Sequence, residues 1–73
     1  MITFGVVMKL IMKTEFDDLR LNENHQYAID NNGDKHVVKI YCNDRLIAKK
    51  VQLKKSIRYF GAQGYRNHLA NVE

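Results

Sequence analysis

Two turns within residues 27–51, YAIDNNGDKHVVKIYCNDRLIAKKV, decide the predicted fold. Asn32-Gly33 provides residue types suited to a type I′ hairpin turn, whose two central residues both have positive φ. A second turn is predicted at Asn43-Asp44. Because runs rich in β-branched residues flank both turns, the stretch predicts a three-stranded antiparallel meander.

With each dipeptide at the centre of its turn, both hairpin registers place the same residues on one face of the sheet. This predicted core face consists of Tyr27, Ile29, Val38, Ile40, Cys42, Ile47 and Val51. The opposite face carries Gln26, Ala28, Val37, Lys39, Tyr41, Leu46, Ala48 and Lys50. Lys49 fits this register poorly, since it falls on the core side. We expect the second, basic face to lie in water or to bind a partner.

Toward the N-terminus, residues 2–12 have an apolar side chain at every even position. This period of two predicts an N-terminal strand with one buried face. The run is shorter than the roughly 20 apolar residues that span a bilayer, and it lacks the pattern of a signal peptide. We therefore expect a cytoplasmic protein without membrane contact. Whether Met8 is an alternative start is left open.

The segment before the meander fits two interpretations. Thr14 is suited to cap a short helix with an acidic first turn, on which Phe16 and Leu19 share a face. Alternation from Leu19 onward favours a strand instead. Of the two, we favour a loop or single turn, followed by a strand that begins near Leu21 or His25.

After Leu53 the apolar period becomes helical, and Ser56 is a suitable N-cap. Gly61 and Gly64 each cost about 1 kcal/mol inside a helix, so a helix broken there is the alternative. The predicted fold is α+β, with residues 1–73 in a single domain. It has an antiparallel sheet of three to four strands, formed by the N-terminal strand and the meander. A C-terminal helix packs on one face.

The charge of the chain is segregated, which suggests an anionic partner. Residues 35–66 contain nine basic residues and one acidic residue, a net charge of +8. Residues 14–34 contain six acidic residues and one basic residue, a net charge of −5. The overall charge of +4 hides this separation. Clustered lysines neutralise phosphates, so nucleic acid is the first candidate partner.

The predicted nucleic-acid site combines the basic sheet face with the start of the expected helix. Its cations would neutralise phosphates, and its tyrosine would stack on a base. The predicted site residues are Lys39, Tyr41, Lys50, Lys54, Lys55 and Arg58. Lysines on a solvated strand face, which discourage edge pairing, are the alternative explanation.

Catalysis and metal binding have weak support in the sequence. No pair of carboxylates is placed for acid–base chemistry, and the dipeptide Lys54-Lys55 lacks the glycines of a phosphate loop. His25 and Cys42 are expected near each other, but no third ligand is expected beside them. We therefore predict a protein that is not an enzyme and binds no metal or cofactor.

Protein binding is the second functional hypothesis. A chain rich in Asn, Lys and Ile is compatible with a phage-encoded modulator that inhibits or adapts a host factor. Such a partner would pair with the N-terminal strand, or it would be an acidic protein whose carboxylates bind the lysine-rich face. The same strand offers an edge for a homodimer, so the oligomeric state is left open.

Overall fold

A computed structural model describes residues 8–70. In chain order they form β1 (Met8–Leu10), α1 (Lys13–Arg20), β2 (Gln26–Asn32), β3 (Lys35–Cys42), β4 (Arg45–Gln52), β5 (Ile57–Ala62) and a 3₁₀ helix (Tyr65–His68). The strands make one antiparallel sheet in the order β1-β5-β4-β3-β2. The α+β class and the antiparallel meander are confirmed. The predicted three to four strands were too few, and residues 2–7 of the expected first strand lie outside the described part.

The predicted C-terminal helix is wrong. Its first half is β5, which pairs with β4 on one side and with β1 on the other. Ser56 caps no helix, because it closes the turn before β5, where its carbonyl accepts the Leu53 N–H at 2.7 Å. Ile57, Tyr59 and Phe60 are β-branched or aromatic residues that favour a strand. Their spacing also fits the apolar stripe of a helix, so the sequence pattern predicted a helix instead.

The helix lies instead at Lys13–Arg20, where a loop or single turn was favoured. Its N-cap position is Met12 rather than Thr14. Glu15 Oε1 accepts the Met12 N–H at 3.0 Å, satisfying one of the donors that a helix start leaves free. Phe16 and Leu19 share the buried face of the helix, as the helical interpretation expected.

The first hairpin is shifted from its predicted register by two residues. Ile29 pairs with Val38 instead of His36, and the turn is centred on Gly33-Asp34. Gly33 has φ of +60°, and a glycine with positive φ at the first central position is typical of a type II′ turn. Because a shift of two preserves the alternation of side chains, the predicted faces of β2 and β3 remain correct.

The second hairpin contains a bulge that changes the faces of β4. Cys42 pairs with Arg45 as predicted. The register then shifts between Ile40 and Tyr41, so that Ile40 pairs with Ala48 rather than with Ile47. A shift of one residue exchanges the two faces of the strand. The prediction for β4 beyond the bulge was therefore wrong, and Lys49 no longer lies on the core side.

The core lies between α1 and one face of the sheet. Its buried members come from the helix, from β3 and β4, and from the 3₁₀ helix: Phe16, Leu19, Ile40, Ile47, Ala48 and Tyr65. The Phe16 and Tyr59 rings pack with centroids 5.3 Å apart, which joins α1 to β5. The helix and the sheet are thus joined by one small apolar cluster.

A buried carboxylate joins the C-terminal segment to this core. Glu15 Oε2 accepts hydrogen bonds from the Tyr65 hydroxyl at 2.8 Å and from Arg66 Nη1 at 2.9 Å. The Met12 N–H, Tyr65 and Arg66 lower the pKa of Glu15 against the opposing effect of burial. Burial, and then the bond to Glu15, raise the pKa of Tyr65. Glu15 is thereby held ionised inside the fold.

Candidate nucleic-acid interface

The two faces of the sheet differ in what packs against them. Phe16 of α1 and Tyr65 of the 3₁₀ helix both belong to the core cluster on one face. Within residues 8–70, these are the only helical elements, so the opposite face is left without a covering layer. We call this opposite face the open face. The strand registers place on it Ala28, Asp30, Asn32, Lys35, Val37, Lys39, Tyr41, Lys49, Val51, Arg58 and Phe60.

Two lysines face each other at the centre of the open face. Lys39 of β3 pairs directly with Lys49 of β4. Directly opposed residues of an antiparallel pair have Cβ atoms about 4.5–5.5 Å apart, and like charges there are destabilising. Both side chains are partly buried, so water separates them less completely than it would on a convex surface. An anion bound between them would remove this repulsion.

A shallow cavity of about 220 Å³ lies around these lysines. It is lined by Asp30, Asn32, Lys35, Val37, Lys39, Lys49 and Val51. Three cations and one carboxylate therefore share its wall. Arg58 of β5 pairs with Val51 of β4 and adds a further exposed cation beside the cavity. These side chains give the cavity a net positive charge.

Aromatic rings lie among these cations. Lys49 Nζ is 5.6 Å from the centroid of the Phe60 ring, which is its partner residue on β5. Tyr41 follows Lys39 by two residues on β3, so its side chain lies on the same face, and it is partly exposed. Rings on an uncovered sheet face are suited to stack on unpaired bases.

The structure brings together only part of the predicted site. Lys39, Tyr41 and Arg58 lie on the open face, whereas Lys54 and Lys55 lie exposed in the turn between β4 and β5. Lys50 pairs with Val38 and Tyr59 on the helix side, because the bulge exchanges the faces of β4.

Three cationic or aromatic residues of the open face were missing from the predicted site: Lys35, Lys49 and Phe60. Lys35 is four residues before Lys39 on the same strand, so the alternation of β3 alone predicts that both side chains lie on one face. Lys49 was lost to the unrecognised bulge, and Phe60 to the helix predicted in place of β5. The sequence pattern therefore located β3 correctly, assigned the wrong face to β4 beyond the bulge, and predicted a helix in place of β5.

A second group of reactive side chains lies on the helix side of the sheet. Gln26 pairs with Tyr41, so the preceding residue, His25, lies beside Cys42. His68 of the 3₁₀ helix joins them, and one ligand atom from each residue lies within 4.8 Å of the others. The expectation that no third ligand would lie near His25 and Cys42 was therefore wrong.

Comparison with known protein families found no family model that matches the chain, and searches of curated proteins and of solved structures found no similar protein. Within residues 8–70, no helix is long and apolar enough to cross a membrane.

Proposed function

We propose that the protein binds single-stranded nucleic acid on the open face and has no catalytic activity. The observation that supports this most is the direct pairing of Lys39 with Lys49 on an uncovered sheet face. Folding brings these like charges together, which costs free energy that an anionic ligand returns. The nearby rings of Phe60 and Tyr41 give the site a means of contacting bases as well as phosphates.

A single strand fits this surface better than a duplex. Bases stack on protein rings only when they are unpaired, and an open antiparallel sheet can present several rings and cations along one strand. Among residues 8–70, the open face carries no helix that could enter a major groove. Four cations contact the strand in this proposal, namely Lys35, Lys39, Lys49 and Arg58.

Fluorescence anisotropy with labelled oligonucleotides tests the proposal. We expect binding to single-stranded DNA or RNA at low salt, with weaker binding to a duplex of the same length. For four phosphate contacts, the slope of log K against log salt concentration is about −2.8. Absence of binding at low salt to every oligonucleotide would reject the proposal.

Protein binding through β2 is a second candidate function. β2 is an edge strand, all its residues are exposed, and Ile29 retains 68% of its exposure. Asp30 is the one charged residue of β2, which contains no Lys or Pro to protect the edge from pairing. A partner protein would add a strand there.

A pull-down with and without nuclease separates the two candidates. Wild type is compared with Ile29→Lys, which places a charge on the edge strand, and with Lys39→Gln, which weakens the open face. A single stoichiometric partner that survives nuclease and is lost only with Ile29→Lys supports protein binding. Material lost on nuclease treatment and with Lys39→Gln supports nucleic-acid binding.

A further inference from the structure

We infer that His25, Cys42 and His68 form a binding site for a transition-metal ion, with Zn²⁺ as the occupant. The three residues come from the loop before β2, the end of β3 and the 3₁₀ helix. Their ligand atoms lie within 4.8 Å of one another. Ligands of a tetrahedral zinc ion are about 3.3–3.7 Å apart, given bond lengths of about 2.0–2.3 Å. Side-chain movements of about 1 Å would close the site.

The environment of His25 prepares this residue as a ligand. Its side chain is 7% exposed, and its Nδ1 lies 2.8 Å from the carbonyl oxygen of Leu19. A carbonyl can only accept a hydrogen bond, so Nδ1 carries a proton, and in the neutral ring Nε2 is then the nitrogen that offers a lone pair to a metal. A ligating histidine commonly holds its second nitrogen in this way, which fixes both the tautomer and the orientation of the ring.

His68 and Cys42 complete a nitrogen–nitrogen–sulfur donor set. The rings of His25 and His68 meet edge to face with centroids 5.7 Å apart, and Cys42 is a free thiol. Imidazole and thiolate ligands suit Zn²⁺ and its neighbours in the first transition row, whereas Mg²⁺ and Ca²⁺ require oxygen ligands. The donor chemistry therefore selects a borderline or soft ion.

A cavity beside the cluster leaves room for a fourth ligand. A cavity of about 290 Å³ is lined by Cys42, His68, Asn43 and Arg45. Three protein ligands and one open position characterise zinc sites that exchange their fourth ligand. Water or a small anion near the Arg45 guanidinium would take this position. The site is on the helix side of the sheet and is independent of the open face.

Cobalt binding to the 73-residue chain, prepared without a histidine tag, tests this inference. Co²⁺ bound to Cys42 should give a sulfur-to-metal charge-transfer band and visible bands of tetrahedral intensity, and one equivalent of Zn²⁺ should remove both. Cys42→Ser should abolish the charge-transfer band, and His68→Ala should weaken metal affinity at least 10-fold. His36→Ala, which removes an exposed histidine outside the cluster, should leave binding unchanged.

Two measurements on the wild-type protein test the site without any substitution, in case a variant fails to fold. At free Zn²⁺ near 100 times the dissociation constant, Tm should rise by roughly 10 °C or more. Zn²⁺ should also shift the imidazole NMR signals of His25 and His68 but not those of His36. An unchanged Tm, absence of the charge-transfer band, or shifts confined to His36 would overturn the inference.

Discussion

Lys39 and Lys49 are direct cross-strand partners on adjacent strands, at the centre of a sheet face that no described helix covers. They are brought together by the bulge between Ile40 and Tyr41, which turns Lys49 away from the core. Without the bulge, Ala48 would pair with Lys39, and Lys50 would lie on the open face opposite Val37. One irregularity in a hairpin thus determines which lysine of the Lys49-Lys50 pair lies on the open face.

The repulsion between these lysines predicts that removing one charge stabilises the fold. Lys39→Gln relieves the repulsion and leaves the contact between Lys49 and Phe60 in place. We expect the free energy of unfolding to rise by about 0.2–1 kcal/mol at low salt, with a smaller gain at high salt. Urea unfolding at two salt concentrations measures this. A loss of stability at low salt would show that the two charges do not oppose folding.

Tyr41 tests the stacking part of the proposal separately from charge. Tyr41→Leu keeps an apolar side chain of moderate size but removes the ring. Stacking contributes roughly 1–3 kcal/mol per base, so affinity for a single strand should fall about 5- to 150-fold. Since no cation is lost, the salt slope in anisotropy titrations should stay the same. Unchanged affinity would remove Tyr41 from the site.

Glu15 predicts how stability depends on pH. Its pKa in the folded protein is below the ordinary value of 4.5, chiefly because of the Met12 N–H. A carboxylate with a depressed folded pKa stabilises the fold fully above its unfolded pKa. That contribution is lost as pH falls through the folded pKa. Thermal melts from pH 7 to pH 3 should therefore show a loss of stability that begins below about pH 5.

Replacement of Glu15 separates its effect from that of other carboxylates. Glu15→Gln should lower the free energy of unfolding by roughly 1–3 kcal/mol at pH 7 and flatten the acid limb of the stability curve. Asp17→Asn is the matched control, because Asp17 lies on the same helix in an exposed ion pair with Lys13. Its effect should stay within about 1 kcal/mol. Equal effects of the two variants would contradict the role assigned to Glu15.

The position of Gly61 beneath the 3₁₀ helix has no room for a side chain. A Cβ at this position would lie 2.8 Å from ring atoms of Tyr65 and 2.8 Å from the Cγ2 atom of Ile11. Gly61→Ala forces these groups apart, and we expect a cost of about 1–3 kcal/mol. A fall in Tm of roughly 4–20 °C, measured by circular dichroism, corresponds to that cost. An unchanged Tm would mean that Tyr65 does not pack against β5.

The sequence predicted the meander because its turns have strong local signals. The turn predicted at Asn43-Asp44 is present, and both residues adopt positive φ. The bulge at Ile40/Tyr41 has no comparable signal, because it depends on how Ile47 and Ala48 both fit beneath α1. Local turn chemistry therefore predicted β3 and its neighbours, while tertiary packing determined which face of β4 is buried.

The C-terminal third was mispredicted for a different reason. Apolar residues at Ile57 and Phe60 satisfy a helical spacing as well as a strand composition. Gly61, which argued against a helix, was the informative residue, since it lies buried in β5 under Tyr65. His68 could not be assigned to a cluster with Cys42, because only the tertiary fold brings these distant positions together.

We propose that the open face binds a nucleic-acid strand. Lys49→Gln and Lys50→Gln test it most directly, because they remove the same charge at adjacent positions on opposite faces of β4. In anisotropy titrations over a salt series, Lys49→Gln should weaken binding and make the slope of log K against log salt shallower by about 0.7. Lys50→Gln should leave both unchanged. Equal losses in the two variants, or no binding by wild type at low salt, would contradict the claim.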